Sequence, residues 1–184
     1  MRSFMMTLLL SLVLLQPFSL ANSYTGNVNF KEVQLDNLKY AYDVGVQSDI
    51  DLEDIGYIFS ALVWQESSAG TITGEGKSGH KAYGIFQNYL PTVKSRLKQR
   101  GLTYSDQNVI NMLKDRHFSA IFAEMELSYW LEWHKGDIFK SLASYNAGYK
   151  WQRSKGYANE VLRKANHLKK YDNNFLNTDQ EGES

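Results

Sequence analysis

No cysteine occurs in the 184 residues, so disulfides, thiolate metal sites and a lipid-modified N-terminal cysteine are excluded. With 2 prolines and 13 glycines, the chain lacks the composition of low-complexity linkers, and no internal repeat is visible. It also lacks net charge: 20 Lys and Arg balance 20 Asp and Glu. Neither nucleic acid nor an anionic membrane surface therefore has an electrostatic claim as partner. The four histidines His80, His117, His134 and His167 pair with no carboxylate at helical i,i+4 spacing, so neither a metal site nor a cofactor is expected.

The one long apolar run lies at the start. Arg2 precedes the Leu-rich stretch Met5 to Leu15, Pro17 breaks it, and Ser19-Leu20-Ala21 places small residues where a signal peptidase reads. The stretch is short for a bilayer span, which needs about 20 residues. Residues 1–21 are therefore expected to be a cleaved signal peptide, and the protein to be exported to the periplasm or cell envelope. Residues 22–170 are expected to form one domain with one core, followed by a flexible polar tail at 171–184.

Helical periodicity dominates this domain, and period-two alternation is limited to short segments around Ile72 and Tyr83. Helices are expected over about Phe30–Val44, with Gly45 near the end, and over Leu52–Ser67, with Asp49 or Asp51 as N-cap. A glycine-rich loop spans residues 68–82. Pro91 opens a helix that Gly101 closes, and Ser105 caps a short one through Leu113. Longer helices are expected over Phe118–His134 and after Asp137 through Ala147, with Gly148 ending the latter; the last covers Tyr157–Lys169. The fold class is thus all-α, or α+β at most with a minimal β segment.

Within this frame Glu66 stands out. Leu52, Ile55, Phe59 and Leu62 mark the apolar line of their helix, and Glu66 continues it four residues on. A carboxylate aimed at a core is costly to ionise, so its pKa should rise, which is the state a general acid needs at neutral pH. The plain alternative is a helix-end Glu whose head reaches solvent.

Three segments follow one another: Trp64-Gln65-Glu66-Ser67-Ser68, then Ala82-Tyr83-Gly84-Ile85-Phe86-Gln87 with Pro91-Thr92 shortly after, then Ala143-Ser144-Tyr145-Asn146-Ala147-Gly148. Their order and content resemble the soluble lytic transglycosylase family, whose fold is goose-type-lysozyme-like. That family carries a Glu-Ser pair, a Gly-Leu-Met-Gln-like strand with Pro-Thr behind it, and an Ala-Tyr-Asn-Ala-Gly helix end. The present chain has Gly-Ile-Phe-Gln and Ser-Tyr-Asn-Ala-Gly instead. The family's Asp-Pro-x-x-Asn-Ile segment is met by Asp115, with Arg116 in place of Pro and Ser119 in place of Asn, and Ala123 stands where Gly is common. Tyr157 and Glu160-Val161 match its terminal Tyr and helix.

The resemblance covers about Leu52 to Leu168 and implies a lysozyme-like helical domain with a substrate cleft. It further implies that the substrate is the glycan strand of peptidoglycan, cut at the MurNAc-β-1,4-GlcNAc bond to leave 1,6-anhydro-MurNAc. Glu66 maps onto the single catalytic acid, and Ser67, Gln87, Tyr145, Asn146 and Tyr157 onto the residues around the sugar. Tyr145 is expected to bring its hydroxyl to Glu66. Ser67 could equally be a helix-capping hydroxyl, Asn146 a cap of its own helix, and Tyr157 a core aromatic. Trp130, Trp133 and Trp151 could form a sugar platform or simply pack. A monomer is expected, and an envelope-spanning secretion, conjugation or phage machine is the kind of assembly that such a domain could serve.

Two rivals remain. A hydrolysing lysozyme on the same fold needs a second carboxylate to activate water, and Glu75 is the candidate within the glycine-rich loop. A non-catalytic peptidoglycan-binding scaffold needs no acid at position 66.

Overall fold

Helix α2 (Ile55–Ser67) is enclosed from nearly every side: Ile58, Phe59, Ala61, Leu62 and Val63 are all buried, and so is Ser60, whose hydroxyl donates to the Leu38 carbonyl at 2.7 Å. The sequence pattern implied an amphipathic helix; the structure makes it the central one. The computed structural model describes residues 28–74, 79 and 81–170. The expected signal peptide at 1–21, the tail at 171–184, Glu75 and His80 lie outside the described residues.

Helices α1 (Glu32–Gln47) and α7 (Lys155–Lys170) both pack on α2. Helix α1 runs on past the expected Val44 to Gln47, so Gly45 is near its end, as its position suggested, but inside the last turn. A Cβ there would sit 2.8 Å from the Gly56 Cα and 2.8 Å from the Ile55 carbonyl oxygen, so α1 and α2 approach backbone to backbone. The N-cap position of α2 is Asp54 rather than Asp49 or Asp51. Asp54 makes no capping hydrogen bond with its side chain, which instead takes Lys169 Nζ of α7 at 2.8 Å.

Strands β1 (Ala82–Tyr83) and β2 (Asn88–Tyr89) pair antiparallel, Ala82 opposite Tyr89 and Tyr83 opposite Asn88. The Gly-Ile-Phe-Gln motif is therefore the turn of a small hairpin rather than a strand, and among the described residues around Ile72 no strand forms. Helices α3 (Leu90–Gln99), α4 (Asp106–Lys114), α5 (Arg116–Trp133) and α6 (Ile138–Ala147) follow, then a 3-10 segment over Gly148–Ser154 that the sequence did not announce. Ser105 caps α4 by accepting the Asn108 amide at 3.2 Å, as its position implied. Asp115 starts α5 two residues earlier than expected because its carboxylate accepts the His117 and Phe118 amides at 2.9 and 3.1 Å. Asp137 caps α6 by accepting the Lys140 amide at 3.0 Å.

The apolar interior is split. A larger core joins α1, α2, α6, α7 and one face of α5 through Ala120, Ala123 and Leu127. A smaller one gathers Tyr83, Leu90, Val93, Leu97, Val109, Leu113 and Phe122 from the hairpin, α3, α4 and another face of α5. The hairpin spans both: Phe86 at its turn meets Phe59 of α2 at 5.9 Å, while Tyr83 of its first strand belongs to the smaller core. Asn88 locks it to α5 by donating to the Ser119 carbonyl at 2.9 Å and the Ser119 hydroxyl at 3.0 Å.

Gly84 has φ +78, and a Cβ on it would lie 2.1 Å from the Leu113 carbonyl oxygen and 2.5 Å from the Ser119 hydroxyl. Gly84→Ala meets both a disfavoured backbone region and a backbone clash, so we expect a loss of about 3 kcal/mol or more. The midpoint of urea unfolding measures this; an unchanged midpoint would contradict the packing of the hairpin on α5.

Candidate active site

The carboxyl group of Glu66 is placed by the last turn of α2. Helix α2 ends in left-handed backbone, with Ser68 at φ 51 and Ala69 at φ 56. Ser67 closes this end: its hydroxyl donates to the Val63 carbonyl at 3.0 Å and accepts the Gly70 amide at 2.8 Å. Ser67 is thus spent on backbone and does not line the cleft, so of its two roles read from sequence the structure displays the capping one.

Glu66 lies at a cleft of about 650 Å³ between the two cores. Gln87, Tyr145 and Asn146 line it with Glu66. Tyr89, Thr92, Ser95, Arg96 and Gln99 come from β2 and α3, and Met125, Glu126, Trp130 and Tyr149 from α5 and the 3-10 segment. The hairpin turn gives Gln87 φ 46, and its side-chain amide donates to the Gly84 carbonyl at 2.9 Å. The Asn146 amide donates to the Ser154 hydroxyl at 2.6 Å, tying the end of α6 to the end of the 3-10 segment. Gln87 therefore holds local backbone and Asn146 a neighbouring side chain, while both present a surface to the cleft.

The partner of Glu66 differs from the expected one. Tyr145, expected to bond it, directs its hydroxyl to the Phe86 carbonyl at 3.4 Å, a long contact that joins α6 to the hairpin turn. Tyr157 of α7 donates its hydroxyl to Glu66 Oε1 instead. Helix α7 packs closely along α2, which brings Tyr157 to the acid although 91 residues separate them. Behind the acid, Lys164 Nζ donates to the Gln65 side-chain oxygen at 2.8 Å.

These surroundings set the proton affinity of Glu66. Burial pushes its pKa from an ordinary 4.5 up to about 7, against the opposing pull of the Tyr157 hydrogen bond and the Lys164 charge. Burial and the nearby Glu66 carboxylate push both Tyr145 and Tyr157 well above the usual phenol range, so each remains a hydroxyl donor. The result is a carboxyl group half protonated near neutrality, open to a cleft and backed by two phenols.

Sequence reading missed the second charged feature of the cleft. Arg96 of α3 and Glu126 of α5 form a buried two-point ion pair, Nε to Oε2 at 2.8 Å and Nη2 to Oε1 at 3.2 Å. Trp130 Nε1 adds a third donor to Glu126 Oε1 at 2.6 Å, and the Arg96 guanidinium lies 3.3 Å from the Tyr129 ring centre. The pair links residues thirty apart on different helices, so no local pattern announced it. The i,i+4 step from Glu126 to Trp130 on α5 was the available signal. Of the three tryptophans read as a sugar platform, Trp130 is buried and lines the cleft, Trp133 is exposed, and Trp151 is half-buried against the larger core. Among the described residues no group of three His, Asp or Glu side chains is placed to hold a metal ion.

With this site in view, comparison with known proteins finds a similar protein in a phage. It is 44% identical over 157 residues to an uncharacterized 20.7 kDa protein in the vs-regB intergenic region of Enterobacteria phage T4; the match covers 80% of this chain and 86% of that one. The chain belongs to the same family as that phage protein. No family model matches the sequence, and no solved structure matches it either.

Two measurements probe the electrostatics directly. Because the folded pKa of Glu66 is raised, its ionisation opposes folding, and the penalty grows as pH rises from about 4.5 through about 7. Glu66→Gln should therefore match wild-type stability near pH 4 and exceed it by roughly 1–3 kcal/mol at pH 8. Urea unfolding at both pH values tests this, and a pH-independent difference would count against burial as the cause. Tyr157→Phe removes a hydrogen bond that favours the carboxylate, so the Glu66 titration followed by carboxyl carbon NMR should move upward from about 7; a downward move would reverse the assigned role.

Proposed function

We propose that the protein is a peptidoglycan lytic transglycosylase of the soluble lytic transglycosylase type, on a lysozyme-like helical fold and exported to the cell envelope. The observation that carries this reading is Glu66: a carboxyl group with a pKa of about 7, hydrogen-bonded by Tyr157 and open to a cleft of saccharide dimensions. One group can then serve both halves of the reaction. As an acid, Glu66 gives its proton to the glycosidic oxygen, and the C1–O bond breaks through an oxocarbenium-like state. As a carboxylate, it takes the proton from the C6 hydroxyl of the same MurNAc. The C6 oxygen bonds to C1, closing the 1,6-anhydro ring, and Glu66 regains its proton without consuming water.

Tyr157 holds the carboxylate oxygen, while Gln87, Tyr145 and Asn146 line the cleft beside it. Family membership with a protein of an enterobacterial phage agrees with action on bacterial wall, and an envelope-crossing assembly would be its setting. The mostly helical architecture with one short hairpin agrees with the lysozyme-like reading.

A second reading is kept alive by Glu126, a carboxylate in the same cleft. A hydrolysing lysozyme would need it, or Glu75, as the base for water. Both Glu126 oxygens already accept donors from Arg96 or Trp130, which favours the single-acid reaction.

Mass spectrometry of soluble products from digested sacculi distinguishes the two. Ends of 1,6-anhydro-MurNAc, one water lighter than reducing ends, are expected; reducing ends would replace the proposal with hydrolysis. Glu66→Gln should lose about 100-fold or more of the cutting rate while still binding wall. The kcat/KM of the wild type should fall as pH rises through about 7, because the protonated acid is then lost. Retained cutting by Glu66→Gln would overturn the assignment.

A further inference from the structure

One arm of the cleft has walls that the proposed reaction does not use. Tyr149, in the 3-10 segment, lines it and is 62% exposed; its neighbour Trp133, near the end of α5, is 57% exposed. Leaving such rings in water forgoes roughly 25 cal/mol for each Å² not buried. Both rings are nevertheless held in place. Tyr149 meets Trp133 edge-to-face at 5.1 Å and Trp130 at 5.0 Å, and its hydroxyl shares a 2.6 Å hydrogen bond with that of Tyr129. Tyr129 stacks near-parallel to Trp133 at 6.4 Å and is backed by the Arg96 guanidinium. Trp130 is only 2% exposed, so it is the support of this cluster and not its surface.

Rings fixed in advance lose little side-chain freedom when a ligand covers them. The charge of this arm narrows the ligand further. Arg96 is paired with Glu126, so its guanidinium backs the aromatic faces rather than presenting a free charge to the cleft. Thr92 and Ser95 of α3 line the same cleft and bring hydroxyl groups. A neutral pyranose, with one apolar C–H face and a rim of hydroxyls, has the matching surface.

We propose that Tyr149 and Trp133 form a saccharide subsite continuous with the Glu66 cleft, stacking a neutral N-acetylhexosamine ring of the glycan strand away from the bond that is cut. This subsite rests on the wall-cutting reading and adds to it the means by which the strand is gripped. It excludes Trp130 from direct stacking.

Purified protein and insoluble sacculi test this by two readouts: the sacculus concentration giving half-maximal product release, and co-sedimentation in a Glu66→Gln background. Tyr149→Ala and Trp133→Ala should each raise half-saturation on the order of tenfold, with a smaller change in kcat and a parallel loss of co-sedimentation. Tyr149→Phe, which keeps the ring and drops the hydroxyl bond, should rescue most of the binding lost in Tyr149→Ala. Circular dichroism melting checks folding, and the exposed Trp133 carries the test should Tyr149→Ala unfold. Unchanged half-saturation in Trp133→Ala and in a folded Tyr149→Ala overturns the subsite and leaves the catalytic reading standing. A wild type that neither binds nor cuts sacculi overturns both together.

Discussion

Desolvation of the Glu66 carboxyl group is the constraint around which the rest of the structure is arranged. Helix α2 could have ended in water; instead α1 and α7 enclose it and the hairpin turn packs on Phe59, so the carboxyl at its last turn is held among protein atoms. A shift from 4.5 to about 7 represents roughly 3 kcal/mol against ionisation, a large fraction of the stability of a domain this size. Tyr157 and Lys164 offset part of that cost, and only part. On the proposed reading, a group left this far from its comfortable state, in a cleft rather than deep in a core, serves as the working acid and not as a packing element.

The cleft exists because the interior is divided in two and α5 serves both parts. Ala120, Ala123 and Leu127 turn one of its faces to the larger core, and Phe122 turns another to the smaller. The hairpin bridges the same gap from the other side, which is why its turn tolerates so little change. Gly84 sits against the Leu113 carbonyl and Ser119, and Asn88 fixes the next strand to Ser119. Ser119 occupies a position where the resembled family carries Asn, and in this chain it is the post on which the hairpin stands. Sequence alone presented that difference as a departure, whereas the packing gives it a use.

Much of the helical frame was legible because capping and periodicity are local. Ser105 and Asp137 cap the helices that their positions announced, and the α3 and α6 boundaries fall within a residue or so of expectation. What could not be read depends on partners far away in sequence. Gly45 does lie near a helix end, but it is also a contact between two backbones, because Gly56 lies opposite. Tyr145 and Tyr157 both had the chemistry to bond Glu66, and only the docking of α7 on α2 decides between them. Arg96 and Glu126 were two unremarkable helix charges until α3 and α5 were brought together. Glu66 itself was legible for a particular reason: it interrupts an apolar line, and such conflicts between local pattern and burial are where function shows in a sequence.

The Arg96–Glu126 pair also bears on which chemistry the cleft can support. Freeing Glu126 to activate water would strip Arg96 of its partner in a buried setting, which costs several kcal/mol, and would leave Trp130 Nε1 without its acceptor. The carboxylate is therefore committed before any substrate arrives. Of the two acids in the cleft, one has both oxygens held by three donors and the other is poised between its two forms. On the proposed reading, a cleft whose described carboxyl groups leave only Glu66 free to give and take a proton suits a reaction whose nucleophile comes with the substrate. That nucleophile is then the C6 hydroxyl, and the ion pair that stiffens the wall is also what keeps Glu126 from serving water as a base.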